Sequence, residues 1–104
     1  MFNTQLAITD ITTRTANLKS TDGTISQNAL TMLTLAANSI SGSSPEAQVR
    51  NDADYLRNMC EGAQRAVDHP KGSVPQTEII ESLARVAGHL IKSLTDELVA
   101  ELSK

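Results

Sequence analysis

Aromatic residues are almost missing from this 104-residue chain: Phe2 and Tyr55 are the whole complement, 2% of the sequence. A core must therefore come from Leu, Ile, Val, Ala and Met, the palette of helix packing, and the flat walls that aromatic rings give to nucleobase or cofactor sites are scarce. Cysteine occurs once, at Cys60, which excludes an internal disulfide and any Cys-rich metal spacing and points to a reducing compartment. Nine Lys and Arg stand against twelve Asp and Glu, a net charge of −3, and no basic run exists. The electrostatic footprint of a nucleic-acid binder is thus absent, and nucleic acid is not an expected partner. No apolar run exceeds three residues, against about 20 for a membrane span. The opening stretch MFNTQLAITD also lacks the positive start and apolar centre of a signal peptide. These features predict a soluble cytoplasmic protein with no membrane association.

Helical periodicity is what the chain does have. Residues 1–23 are threonine-rich, and their pattern is ambiguous. Ile8, Ile11, Thr15 and Leu18 follow helical spacing, whereas Leu6 with Ile8 and the β-branched content would suit a short strand. The helical alternative is favoured, as a helix that needs packing, within its own subunit or another, to hold it. Ser20-Thr21-Asp22-Gly23 reads as a turn, and Thr24 with Gln27 as a capping box opening a second helix that ends at Ser41-Gly42. Ile25, Ala29, Leu33, Ala36, Ala37 and Ile40 line one face of that helix. No charge occurs between Asp22 and Glu46, which predicts a largely buried helix packed between others, with Thr, Asn and Gln keeping one side polar.

Ser44-Pro45-Glu46 carries an N-cap serine, a first-position proline and a first-turn acid, and predicts a third helix running to Asp68. Val49, Ala53, Leu56, Cys60, Ala63 and Val67 recur along it as a continuous packing seam. Arg50 with Asp54, Arg57 with Glu61 and Glu61 with Arg65 are spaced for i,i+4 pairs worth about 0.2–0.5 kcal/mol each. His69-Pro70-Lys71-Gly72 ends the helix. Ser73-Val74-Pro75-Gln76 offers another capping box, followed by a broad aliphatic stripe from Ile79 to Leu102. An unbroken helix from Val74 to Leu102 would span about 43 Å, long for a compact chain of this size. Either it breaks near Ser93-Leu94-Thr95-Asp96 or it protrudes and exposes Leu94, Leu98, Val99 and Leu102.

Constellations that carry chemistry are missing. Cys60 with His69 or His89 is the only nucleophile–base combination, and Cys60 lies on the apolar seam, where a thiol is unreactive. His69 reads as a helix C-terminal residue and His89 as a surface or interface residue. No HxxxH, HExxH or Asp-rich calcium loop surrounds either histidine, Asp52 and Asp54 diverge on a helix, and the five glycines are scattered singly. No metal, cofactor or catalytic residue is therefore expected.

The expected fold is all-α. It is a single domain over residues 1–104, a small bundle of three to four helices with a long C-terminal amphipathic helix, dimerising. Residues 45–68 pack against 74–102, residues 24–41 lie beside them, and 1–23 form the uncertain element. The expected function is a non-enzymatic regulator or inhibitor that binds an unidentified protein through an aliphatic helix face. Leu90, Ile91, Leu94, Leu98, Val99 and Leu102, with Phe2 as an N-terminal anchor, are the expected partner or oligomer interface. Glu78, Glu81, Asp96, Glu97 and Glu101 serve solubility or steer a basic partner to it. The alternative is a ligand-binding or sequestering protein, with a pocket between helices or subunits and Tyr55, Arg57 or His89 as polar contacts.

Overall fold

The threonine-rich N-terminal segment is a helix, α1 (Thr4–Ala16), and its hydroxyls explain how a β-branched stretch holds that form. The Asn3 side chain accepts the Leu6 N–H (2.9 Å), capping the first turn. The Thr9 and Thr12 hydroxyls donate back to the carbonyls of Gln5 and Ile8, one turn earlier. Asp10 pairs with Arg14 at 3.1 Å. The computed structural model describes residues 2–72 and 74–104. Among them it contains three more helices, α2 (Gln27–Ser43), α3 (Ala47–Asp68) and α4 (Gln76–Leu102), and no strand beyond an isolated Lys19–Ile25 bridge.

The four helices run up-down-up-down as a ring. The packed neighbours are α1 with α2, α2 with α3, α3 with α4, and α4 with α1, and the diagonals do not meet. The bundle measures 51 × 23 × 19 Å, drawn out along α4, whose 27 residues rise about 40 Å. Ile11, Leu18, Leu30, Leu33, Val49, Leu56, Cys60, Leu83, Leu90 and Leu94 are fully buried, so every helix and the first connection contribute to one core. Val49, Ala53, Leu56, Cys60 and Ala63 form the α3 part of it, and Val67 at the end of that seam is half-buried.

Helix starts depart from the expected ones for identifiable reasons. Thr24 does not cap α2, because its amide and hydroxyl both donate to Asp22 Oδ1 (3.1 and 2.6 Å), which holds the Asp22 carboxyl below its ordinary pKa. Ser26 is the cap instead, its Oγ accepting the Ala29 N–H. The residues between form a hairpin turn. Gly23, at φ +87°, donates its N–H to the Ser20 carbonyl, and the Ser26 N–H reaches Leu18 O at 2.7 Å. Ser44 does not open α3 but closes α2, donating its N–H to Ile40 O, so α3 begins three residues later at Ala47. Arg50, rather than pairing with Asp54, donates to the Ser44 carbonyl at 2.9 Å.

At α4 the Ser73 cap lies outside the described residues. Pro75 occupies the cap position, and the Gln76 side chain turns away to accept the Ile25 N–H at 2.8 Å, tying α4 to the hairpin. No break occurs near Ser93, because the Ser93 hydroxyl donates to Asp52 on α3 rather than to its own backbone. α2 does pack between two helices, α1 and α3, but a ring of four leaves each helix an outer side, and on α2 that polar side is exposed, so the helix is less buried than its lack of charge predicts. Phe2 packs half-buried against its own chain's core, and at the same end Thr4 Oγ1 donates to Glu101 Oε1 at 2.7 Å. That bond lays α1 antiparallel along the last turns of α4.

The buried and exposed ends of α4 give a stability test. Leu94→Ala should lower unfolding free energy by about 2–5 kcal/mol through its cavity, and Leu102→Ala by less than about 0.5 kcal/mol. Urea unfolding followed by circular dichroism reads both, and equal losses would contradict this packing.

Candidate interaction surfaces

The residues with the most chemical potential are engaged in structure. Cys60 is fully buried on α3, and burial pushes its thiol up to about 11. A hydrogen bond with Thr34 pulls the other way, and the Glu61 charge adds to the rise. His69 closes α3, donating its N–H to Arg65 O, and His89 stands exposed on α4. No group of three metal-ligating side chains assembles among the described residues, and no helix among them is long and apolar enough to cross a membrane.

Asp52 and Asp54 diverge, as two residues on one helix must, and each does structural work on its own side. Asp54 accepts from Ser41 of α2 at 2.6 Å and lies 3.3 Å from Arg57, while Asp52 accepts from Ser93 of α4. Between them Ala53 is fully buried. These staples were missed in the sequence, although it held a signal: two carboxylates flanking a seam residue stand at the two edges of the buried face.

The three expected ligand contacts do not converge. Arg57 faces α2, its Nη1 donating to Asn38 at 3.2 Å and its Nε 3.6 Å from Glu61. Tyr55 is 57% exposed on α3, and His89 lies on α4, diagonal to α2. Two grooves exist elsewhere. One, of about 820 Å³ between α1 and α2, has Ala7, Ala36 and Ile40 along its floor and Phe2, Leu6, Asp10, Arg14, Ser39 and Ser43 among its walls. The other, of about 480 Å³ between α3 and α4, is lined by residues that include Met59, Arg65, Val74, Glu78 and Ser82. Neither includes Tyr55, Arg57 or His89.

The expected aliphatic interface divides. Leu90 and Leu94 are fully buried in the chain's own core, because α1 lies along that part of α4. Ile91 and Leu98 are half-buried. Val99 and Leu102 are 57% and 77% exposed, beyond the reach of α3. Charge is also unevenly placed: 17 of the 21 charged residues lie from Glu46 onward, α1 carries only the Asp10–Arg14 pair, and α2 carries none. No family model matches the chain, and no curated protein or solved structure matches it.

The buried thiol makes a pH prediction. Its pKa is higher folded, about 11, than the ordinary 9.0, so the folded state keeps a proton that the unfolded state releases. The resulting stability is complete below pH 9 and is lost as pH rises towards 11. Unfolding free energy should therefore fall more steeply over that window in the native protein than in Cys60→Ala, and parallel curves would refute the burial. Native-state alkylation at pH 8 should likewise be slow until denaturant is added.

Proposed function

We propose that the protein is a non-enzymatic regulatory module that binds another protein through the end of the bundle where α4 outruns α3. The observation that carries this reading is the exposure of Val99 and Leu102 beside half-buried Leu98, an aliphatic cap that the chain leaves open to solvent. Phe2 stands at the same end, and Asp96, Glu97 and Glu101 lie on the same last turns of α4. Lys92 partly offsets this acidity through its 3.2 Å contact with Asp96. An apolar patch with an acidic rim suits a partner segment with aliphatic anchors flanked by Lys or Arg, held by burial and guided by charge. A lone, buried thiol suits a reducing compartment such as the cytoplasm.

A second reading, a small-molecule binder, is favoured by the α1–α2 groove, whose volume of about 820 Å³ lies within the range of ligand sites. Its ligand would be largely aliphatic, with Asp10 and Arg14 as polar contacts. It would raise the melting temperature of the native protein and not that of Leu6→Arg.

The two readings separate experimentally. A partner captured by the native protein should be lost from the Val99→Asp, Leu102→Asp double variant, retained by Thr77→Asp on the far end of α4, and associate several-fold more slowly at high salt. The double variant should keep its helical content and melting temperature, because both side chains are solvent-facing. Undiminished capture by a folded double variant would refute the proposed site.

A further inference from the structure

We propose that the groove between α3 and α4 binds a small zwitterion with an apolar body, an aliphatic or thioether α-amino acid being its simplest form. The groove encloses about 480 Å³ between the second half of α3 and the start of α4, a volume within the range of small-ligand sites. Its floor is the outer surface of the core, Ala63, Ile79 and Leu83, and half-buried Met59 is an adaptable wall. Arg65 lines it from α3 and Glu78 from α4, so one charge of each sign faces the same space.

Among the described residues neither side chain has an ion pair or a hydrogen bond, with the other or elsewhere. For Arg65 the reason is visible. Its sequence spacing suits a pair with Glu61, but Glu61 lies 3.6 Å from Arg57 instead, and Asp68, one turn onward, accepts from Gln64. Arg65 lies over Gly62, its Nη2 3.7 Å from the point where a Cβ on that glycine would stand. The α1–α2 groove differs in this respect, because Asp10 and Arg14 satisfy each other there at 3.1 Å.

The two signs select the ligand. A simple anion would meet Glu78 and a simple cation Arg65, so neither gains from the pair. A molecule that carries both charges at one end gains from each: its carboxylate takes the planar guanidinium fork and its ammonium the Glu78 carboxylate, both through charge-assisted hydrogen bonds. No existing ion pair has to break. The apolar remainder of the ligand then covers Ala63 and Leu83. Gly62 leaves room for it, since a larger side chain at that position would stand in the groove beside Arg65.

Amide chemical shifts of the native protein, titrated with millimolar L-leucine and L-methionine, test the site. Saturable shifts should centre on Gly62, Ala63, Ser82 and Leu83. Leucinamide, which lacks the carboxylate, and N-acetylleucine, which lacks the ammonium, should each bind about tenfold more weakly, as should L-leucine to Arg65→Gln and to Glu78→Gln. Gly62→Leu should abolish binding while keeping or raising the melting temperature, because leucine favours a helix more than glycine does. Arg14→Gln, and the Val99→Asp, Leu102→Asp variant at the far end of α4, should bind as the native protein does. The absence of saturable shifts with both amino acids would overturn the assignment, as would shifts confined to the α1–α2 groove. So would binding that survives Gly62→Leu, or blocked analogues that bind as well as L-leucine.

Discussion

Everything in this bundle hangs on α3, the helix that touches both α2 and α4 and holds each by a different edge. Its buried seam of Val49, Ala53, Leu56, Cys60 and Ala63 supplies the non-directional part of the attraction, which fixes that the helices pack but only loosely how far each may slide or turn. Asp52 and Asp54 supply the directional part, one bonded to Ser93 of α4 and the other to Ser41 of α2. A core without large rings has few bulky shapes to key neighbouring helices into one alignment. Polar contacts at the edge of the seam set that alignment here, and they explain why α4 passes Ser93 without a break.

Helix identity was legible in the sequence because it depends on periodicity, and the periodic residues are the ones found buried: the α3 seam and Leu83, Val86, Leu90 and Leu94 on α4. Boundaries were less legible because capping residues have competing partners. Thr24 and Gln76 each fit a local capping pattern, and each side chain is taken by a contact that pattern does not contain, Asp22 and Ile25, the latter at a separation of 51 residues; Ser44 still accepts the Glu46 N–H, but its own N–H closes α2 and displaces the start of α3. The division of the aliphatic stripe on α4 was hidden for a related reason. A stripe shows which face seeks cover but not how much of it the chain can supply, and the low-propensity α1 proved to be the cover for Leu90 and Leu94. Tyr55, Arg57 and His89 were chosen by chemical type, and their separation follows from the ring order of the helices, which no local spacing encodes.

Two kinds of outer surface result. The α3–α4 side is charged and laced with exposed i,i+4 contacts such as Lys92–Asp96, each worth little in stability but effective for solubility. The α1–α2 side is nearly uncharged, with an open groove and isolated leucines. Solvent tolerates both. The aliphatic cap at the end of α4 is a third, smaller region, distinct from both.

The ring order also sets an order of assembly. Three of the four helix contacts join consecutive elements through short connections and close at little entropic cost, whereas the contact of α1 with α4 must bring together residues as far apart as Thr4 and Glu101. That contact is made by the helix with the weakest intrinsic tendency to form, on which the Thr15 hydroxyl is buried without a partner. The bundle therefore closes last, and opens first, at the seam between its first and last helices. A brief excursion of α1 uncovers Leu90 and Leu94 while the α2–α3–α4 layer stays intact, so hydrogen exchange in α1 reports a local opening distinct from global unfolding.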